Sequence, residues 1–186
     1  MNFDIATMPL VFIDVETTGF SPTKCRITEI AALRVEGGEI KRKLVSLFTI
    51  GEPVPEIITK LTGIDDAMLE GQPTFDTVCD ELIEILDGAI MVAHNAKFDY
   101  SFIKAEFERC GKQFTAITLC TCELVKVLYP ALPNHKLQTL IETYEFEYTD
   151  RHRAEDDAAV LIQLLTKVGK EFDHDRLRLA VNGATV

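Results

Sequence analysis

Residues 10–19 read LVFIDVETTG, and the chain is organised around this short stretch. Its apolar positions are mostly β-branched or aromatic and Thr-Thr-Gly ends the run, which predicts a buried strand. Side chains two residues apart on a strand point to the same face, so Asp14 and Glu16 lie side by side. Two such carboxylates repel each other and lose hydration unless a proton or a cation compensates. A hard divalent cation is the simplest compensation; the alternative is a pair of solvated charges on an edge strand.

The composition indicates one folded domain. The chain has 186 residues, 47% hydrophobic and 26% charged, which is enough to bury a substantial core. We expect a single domain over residues 1–186, with its core at about 9–172 and a short tail at 173–186 that frays from Asn182.

Charge and hydropathy narrow the class of protein. No apolar run approaches the roughly 20 residues of a membrane helix, and the N-terminus carries no secretory signal, so we expect a cytoplasmic protein with no membrane partner. The net charge of −11 argues against a broad electrostatic grip on nucleic acid. It does not exclude a nuclease, because acids that bind metal ions would reverse the local field.

The order of hydrophobic segments predicts a mixed α/β sheet covered by helices. The first three strands form an antiparallel meander whose last two members are joined at Gly37-Gly38. Thr74 is the expected N-cap of the helix that follows the loop region. The later strands are predicted at 28–35, 39–48, 89–93 and 115–120, and the helices at 56–61, 65–69, 74–86, 97–110, 122–128, 136–144 and 153–172.

Helical phase selects a third acid. Asp99 lies three and four residues before Phe102 and Ile103, on or beside the inward face of its helix. It also falls in the first helical turn, where the helix dipole favours an anion, behind Asn95 as a candidate N-cap. The alternative for Asp99 is an ordinary acid that stabilises the dipole.

The last predicted helix supplies a fourth acid. Asp157 lies four residues before Leu161 and seven before Leu164, on the apolar stripe of the helix. Asp156 lies nearer the edge of the stripe. Of the three consecutive acids at 155–157, Asp157 is therefore the one predicted to point inward, although all three are also typical first-turn acids.

A histidine precedes this fourth acid. His152 lies five residues before Asp157, and with an unperturbed pKa of about 6.5 it is able to accept a proton near neutral pH. His94 and His135 are the competing histidines. His94 follows a predicted strand, and we expect it to support the loop there.

Three motifs in this order resemble the DEDD superfamily of 3′–5′ exonucleases in its histidine-containing branch (DEDDh), and in particular the exonuclease domains of the epsilon proofreading subunits of bacterial DNA polymerase III. The motifs are FIDVETTG at 12–19, HNAKFD at 94–99 and HRAEDD at 152–157. LTGI at 61–64 also resembles a family segment near the terminal nucleotide. The likeness covers about residues 9–170, and the motifs together are far more specific than any one alone.

The resemblance implies an RNase H-like fold, with a five-stranded mixed sheet made of the antiparallel meander and two parallel strands. It implies two divalent ions, Mg²⁺ or Mn²⁺, held by Asp14, Glu16, Asp99 and Asp157, with His152 as general base. Two such ions clamp the attacking and leaving oxygens of an in-line displacement. The implied activity is 3′–5′ hydrolysis of the terminal phosphodiester of single-stranded DNA, which releases nucleoside 5′-monophosphates.

The resemblance also assigns residues to the terminal nucleotide. Backbone groups at 17–19 face the nucleotide, and Phe20 or Ile64 stacks against or wedges the last base. Thr62 stands where several relatives have histidine. For Thr18 and Phe20 the alternatives are roles in the turn and in the core. The implied substrate-binding set is Thr17, Thr18, Gly19, Phe20, Thr62, Ile64 and Asn95.

Other functions stay open at this point. The same fold acting on short RNA would be a 3′–5′ exoribonuclease, which the 2′-hydroxyl distinguishes. A non-catalytic nucleic-acid-binding domain is disfavoured because all four carboxylates and the histidine are present, and a metal-dependent phosphatase is disfavoured by the likeness of the nucleotide-binding segments.

The expected partner is the 3′ end of single-stranded DNA, or of RNA, with DNA polymerase III subunits as further candidates. The chain ends soon after its last predicted helix, without the long C-terminal segment by which the epsilon subunit reaches its polymerase. A stand-alone repair or turnover exonuclease is therefore an equal expectation.

Overall fold

A five-stranded sheet is the framework of the protein, whose computed structural model describes residues 8–150 and 152–185. The strands are β1 (Leu10–Thr17), β2 (Ile27–Glu36), β3 (Glu39–Leu47), β4 (Ile90–Ala93) and β5 (Thr118–Cys120). The first three are antiparallel neighbours, while β4 runs parallel to β1 and β5 parallel to β4, which gives the spatial order β3-β2-β1-β4-β5. The predicted mixed sheet is confirmed.

Helices cover both faces of the sheet. One face packs against the helical segments between residues 75 and 109, and the other against the helices between residues 121 and 184. In the part of the chain that the structure describes, no helix is both long enough and apolar enough to cross a membrane. The helices are α1 (Glu56–Thr62), α2 (Asp66–Leu69), α3 (Cys79–Leu86), α4 (Ala96–Arg109), α5 (Thr121–Leu128), α6 (Leu137–Tyr144), α7 (Ala154–Glu171) and α8 (His174–Ala184), with the 3-10 helix at Phe75–Val78.

The turn between β2 and β3 has the predicted two residues. Gly37 and Gly38 have φ of +59° and +82°, the positive values that a tight hairpin turn requires and that glycine adopts without strain. The strand before this turn differs from the expected loose alternation, because β2 is buried on both faces from Ile27 to Leu33. It lies between β1 and β3 with helices above and below.

The two faces of β1 belong to different cores. Leu10 and Phe12 contribute to the core under α7, and the alternate residues from Val11 to Val15 contribute to the core under α4. Asp14 and Glu16 continue the row of Leu10 and Phe12, so they point to the α7 side. The pairing of β1 with β4 stops at Phe12, which leaves the acidic half of β1 beyond the end of β4.

Two predicted boundaries shift. The helix predicted at 74–86 is divided into the 3-10 helix and α3, because the three-residue period of a 3-10 turn brings Phe75 and Val78 to one side, where both are buried. Thr74 makes no side-chain cap with the backbone; its hydroxyl instead bonds the Asp76 carboxylate. Strand β5 begins at Thr118 rather than at residue 115.

The prediction of a tail that frays over residues 182–186 is wrong for the described residues, because Asn182 belongs to a helix; Val186 lies outside the described residues. Helix α8 begins after Asp173, whose side chain accepts a hydrogen bond from the backbone amide of Arg176. It continues to Ala184, with Ala180, Val181 and Ala184 buried in the core beneath α5 and α7. The three- and four-residue spacing of these small apolar residues is the sequence signal for this helix.

Candidate metal and active site

Two acids of β1 belong to the candidate site. Asp14 and Glu16 are both partly buried and lie on the face that α7 covers, as the two-residue period predicts. In the ladder between β1 and β2, Glu16 stands opposite Glu29. Side chains directly opposite each other in an antiparallel pair share a face, so a third carboxylate lies beside the first two.

The start of α7 and the segment just before it bring two further side chains close to these acids. Carboxylate oxygens of Glu16 and Asp157 and a ring nitrogen of His152 all lie within 4.8 Å of one another. Asp157 is buried, and its backbone amide donates to the carbonyl of Arg153 at 3.1 Å in the first helical turn. The inward orientation predicted for Asp157 is confirmed.

Asp156, the residue before Asp157, has a different environment. The Asp156 carboxylate accepts hydrogen bonds from the backbone amides of Asp150 at 2.6 Å and Thr149 at 3.3 Å. It therefore closes the loop before α7 instead of joining the cluster. This is the division that helical phase predicts between Asp156 and Asp157.

Asp99 reaches the same strand from the other face of the sheet. It is only 3% exposed and stands in the first turn of α4. Its carboxylate accepts hydrogen bonds from its own backbone amide and from that of Val15, the residue between Asp14 and Glu16. Burial raises the pKa of Asp99 to about 8, and the two hydrogen bonds oppose that shift without cancelling it.

The loop before α4 is built differently from the prediction. Asn95 has φ of +71° and makes no side-chain cap; its carbonyl accepts the amide of Phe98 at 2.8 Å. A left-handed residue cannot aim its side chain along the helix in the way an ordinary N-cap does. Asn95 is exposed at the entrance to α4.

The donor set fits a hard divalent cation. Among the described residues, Glu16, His152 and Asp157 form one group with metal-ligand spacing, and the carboxylate of Asp99 is held at the backbone between Asp14 and Glu16. Carboxylate oxygens are the ligands that Mg²⁺ and Mn²⁺ prefer. The close group therefore contains three of the five predicted residues, and Asp14 and Asp99 border it.

Sequence reasoning missed one acid of this region. Glu29 is buried, and its carboxylate accepts the guanidinium of Arg153, with Nη2 at 2.6 Å and Nε at 3.1 Å. It also accepts the backbone amide of Ala154 at 3.0 Å, and this hydrogen-bonded pairing raises the pKa of Arg153. The signal in the sequence is a glutamate inside the apolar run ITEIAAL, where a charge requires a partner.

The competing histidines have structural partners. A ring nitrogen of His94 lies 3.0 Å from the Thr121 hydroxyl and the other 2.9 Å from the carbonyl of His135. His135 in turn lies 3.0 Å from the carbonyl of Tyr129. The expected role of His94 in supporting its loop is confirmed.

The segment after β1 folds into a closed turn. The Thr17 hydroxyl donates to the carbonyl of Gly19 at 2.7 Å, and the Thr18 hydroxyl accepts the amide of Arg26 at 3.0 Å. The alternative turn role of Thr18 is thus present. Phe20 is 83% exposed, so the alternative core role of Phe20 is wrong.

The segment at 61–64 differs from the expectation for base contacts. Ile64 is fully buried in a small cluster with Ile58 and Leu69, so its side chain is not accessible to a base. The Thr62 hydroxyl donates to the carbonyl of Ile58 at 3.0 Å and accepts the amide of Ile64 at 3.1 Å. Of the two side chains predicted to meet the last base, only Phe20 is exposed.

Comparison with known sequences gives independent evidence on the family of this chain. A family model described as Exonuclease (RNase_T) matches residues 11–165. The DNA polymerase III subunit epsilon of Aquifex aeolicus is 40% identical over 163 residues, which cover 87% of this chain and 81% of that protein. The PolC-type DNA polymerase III of Halalkalibacterium halodurans is 39% identical over 162 residues, and the 3′-5′ exonuclease DinG of Bacillus subtilis 39% over 152.

The chain spans only a small part of the latter two relatives. It covers 11% of the PolC-type polymerase and 16% of DinG, whereas 87% and 81% of this chain take part in those matches. The similarity is therefore that of one domain within those longer proteins.

Solved structures share the fold. A zinc-bound complex of Escherichia coli exonuclease I with single-stranded DNA has a TM-score of 0.80 at 17% identity, covering 92% of this chain and 42% of that one. Exonuclease X in complex with 5′-overhanging duplex DNA has a TM-score of 0.69 at 24% identity, covering 92% and 99%. The fold is RNase H-like, as predicted.

Proposed function

The chain belongs to the exonuclease family whose model covers residues 11–165, and on that premise we propose that it is a metal-dependent 3′–5′ exonuclease acting on single-stranded DNA. The observation that carries the proposal is the close group of Glu16, His152 and Asp157. Two carboxylates from elements far apart in the chain meet a titratable ring at the end of a strand. Such an arrangement suits metal-assisted hydrolysis of a phosphodiester.

The acids would hold the metal ions, Mg²⁺ or Mn²⁺. Asp14, Glu16, Asp99 and Asp157 are the proposed ligands, because all four are held at or beside the acidic half of β1. Divalent ions in such a site supply positive charge to the scissile phosphate and lower the pKa of a nearby water.

His152 is the proposed general base. A neutral imidazole accepts the proton of the attacking water at a ring nitrogen, a step suited to a group whose unperturbed pKa is about 6.5. Hydroxide adds to phosphorus while the P–O3′ bond breaks, and the departing 3′-oxygen takes up a proton. The products are a nucleoside 5′-monophosphate and a strand shortened by one nucleotide with a free 3′-hydroxyl.

Substrate contacts would come from the turn after β1. The turn at residues 17–19 is closed by the Thr17 hydroxyl, which donates to the Gly19 carbonyl, and by the Thr18 hydroxyl, which accepts the Arg26 amide. Phe20 stands exposed beside this turn for stacking on a base. Because the chain carries a net charge of −11, the grip on phosphate depends on local groups and bound cations rather than on an overall field.

Single-stranded DNA is the proposed substrate because the exonuclease I comparison structure contains it. The direction of digestion is taken from DinG of Bacillus subtilis, a relative named as a 3′-5′ exonuclease. DNA polymerase III subunits are candidate partners, since the Aquifex relative is named as a subunit of that polymerase.

The test is digestion of a 5′-labelled single-stranded DNA oligomer with Mg²⁺ or Mn²⁺. Asp157→Asn is compared with Asp156→Asn, a matched control whose side chain caps a loop and whose amide oxygen still accepts hydrogen bonds. We expect a ladder that shortens from the 3′ end, disappears with a chelator or with Asp157→Asn, and persists with Asp156→Asn.

Other outcomes contradict the proposal in specific ways. Faster cleavage of a matched RNA oligomer would replace the DNA assignment with the exoribonuclease. Release of free phosphate in place of mononucleotides would indicate a phosphatase. Intact DNA and RNA under every metal condition would leave a binding domain without catalysis.

A further inference from the structure

One ion pair fastens the segment that carries two site residues. Arg153 and Glu29 are 124 residues apart in sequence, and the Glu29 side chain is 2% exposed. The Arg153 guanidinium donates through Nη2 at 2.6 Å and Nε at 3.1 Å, a fork geometry that fixes direction as well as distance. The same carboxylate accepts the amide of Ala154 at 3.0 Å, the first residue of α7.

Arg153 lies between two of the site residues along the chain. His152 immediately precedes Arg153 and has φ of +61°, a left-handed conformation that costs energy outside glycine and persists only where the surroundings hold it. Asp157 follows one helical turn later, with its amide bonded to the carbonyl of Arg153. Any displacement of Arg153 therefore moves both His152 and Asp157.

The pair also lies beside the third member of the group. Glu29 on β2 stands directly opposite Glu16 on β1. The residue that binds the start of α7 and the proposed ligand Glu16 therefore belong to the same pair of strands. The Glu29 carboxylate is engaged by Arg153 and by the backbone of Ala154. Its charge is thus neutralised next to Glu16.

We propose that Glu29 and Arg153 are positioning residues of the site, which hold His152 and Asp157 in register with Glu16 without touching metal or substrate. This inference rests on the proposed function and adds two residues to it. Its physical basis is that groups which orient metal ligands matter nearly as much as the ligands, and their loss typically lowers metal affinity or activity about 10- to 100-fold.

A second buried pair provides a matched control. Glu106 of α4 is 1% exposed in its side chain, receives the fork of Arg26 at 2.8 and 3.0 Å, and accepts the backbone amide of Ile27 at 3.2 Å. Like Glu29, it is a buried glutamate held by an arginine fork and a backbone amide, and it also pairs with Arg109 at 3.1 Å. It joins the later half of α4 to the start of β2, about two helical turns beyond Asp99, rather than the segment that carries His152 and Asp157. Glu106→Gln reports the cost of losing a buried ion pair in general.

The experiment measures Mn²⁺ affinity by calorimetry, kcat and KM on a single-stranded DNA oligomer, and thermal unfolding. For Glu29→Gln we expect Mn²⁺ affinity and kcat to fall about 10- to 100-fold, with KM within about twofold. Glu106→Gln should lower the unfolding temperature and leave Mn²⁺ affinity at the wild-type value. Arg153→Lys keeps the charge but loses the fork, and it replaces Glu29→Gln if that variant does not fold.

A double variant separates positioning from stability. Arg153→Gln alone leaves the charge of Glu29, whose side chain is 2% exposed, buried without its partner. The unfolding temperature should therefore recover when Glu29→Gln is added to Arg153→Gln, since no uncompensated charge is then buried. Mn²⁺ affinity and kcat should stay low. Recovery of affinity together with stability would reduce the pair to a structural role.

The failure of this inference is distinguishable from failure of the proposed function. Wild-type Mn²⁺ affinity in Glu29→Gln, or an equal loss in Glu106→Gln, overturns the positioning role even if the wild-type protein digests DNA. Weakened Mn²⁺ binding in Glu29→Gln but not in Glu106→Gln supports it even if no nucleic acid is cleaved. A wild-type protein that binds no Mn²⁺ contradicts both.

Discussion

The carboxylate of Asp99 accepts a hydrogen bond from the backbone amide of Val15. Val15 lies between Asp14 and Glu16, whose side chains point to the opposite side of the sheet from the helix that carries Asp99. The contact is possible because β1 runs past its last pairing with β4, so an acid from α4 reaches the exposed edge of the strand. Acids from both faces thus meet at one strand end.

Asp99→Asn should change the pH dependence of stability in metal-free protein. Burial raises the pKa of Asp99 to about 8, against about 3.9 in an unfolded chain. Between these values the folded state holds a proton that the unfolded state has lost, so the contribution of Asp99 to stability is full below pH ~4 and is lost as pH rises towards ~8. Asparagine does not titrate, so the variant lacks this dependence of stability on pH.

The measurement is thermal unfolding with a chelator at several pH values from 5 to 8. The difference in unfolding temperature between Asp99→Asn and wild type should move in favour of the variant as pH rises. Parallel curves for the two proteins would show that Asp99 is ionised without a metal. Asp156→Asn, at a partly exposed acid, serves as the control.

His152→Gln should slow catalysis more than it weakens binding. Loss of a general base typically lowers kcat about 10²- to 10⁴-fold, whereas KM for the oligomer should stay within a few-fold of wild type. His174→Gln, at an exposed position of α8, should leave kcat unchanged. Steady-state kinetics checks this, and a variant with normal kcat would remove His152 from the proposed mechanism.

Phe20→Ala should weaken substrate binding without loss of stability. Stacking of a base on an aromatic ring contributes about 1–3 kcal/mol, so we expect KM for single-stranded DNA to rise by about tenfold with kcat little altered. The unfolding temperature should not change, since the ring is 83% exposed. Leu179→Ala, 71% exposed on α8, should alter neither quantity; an unchanged KM in Phe20→Ala would exclude a stacking role.

Val181→Ala should destabilise the protein while leaving the chemistry intact. Val181 is fully buried where α8 joins the core, and removing two buried methylene equivalents costs about 1.5–2 kcal/mol in the free energy of unfolding. Denaturant titration measures this change, and kcat should equal that of wild type. A frayed helix would show no loss on Val181→Ala.

The orientations of individual side chains could be predicted from the sequence. The two-residue period of a strand placed Asp14 and Glu16 on one face, and the 3.6-residue period of a helix separated the buried Asp157 from Asp156. These periods are local properties of the backbone. A few neighbouring residues are enough to show these periods, so they can be recognised without knowledge of the rest of the chain.

Helix α8 and the burial of Ile64 were not predicted from the sequence. Helix α8 follows a weak stripe of small residues ending at Ala184, and its stability comes from packing on the core rather than from helix propensity. Ile64 is buried with Ile58 and Leu69, a cluster that depends on how the segment after β3 folds back. Local pattern does not fix which apolar residues of a loop become buried.

The order of the strands and of the helices up to α7, the inward acids and the family could all be predicted from the sequence, because each follows from local periodicity or from a contiguous motif. The meeting of Glu16, His152 and Asp157 within 4.8 Å and the pairing of Glu29 with Arg153 depend on tertiary structure. Pairings across 124 residues depend on strand register and on helix docking. Those are settled when the core closes over both faces of the sheet, and no short segment of the chain carries that information alone.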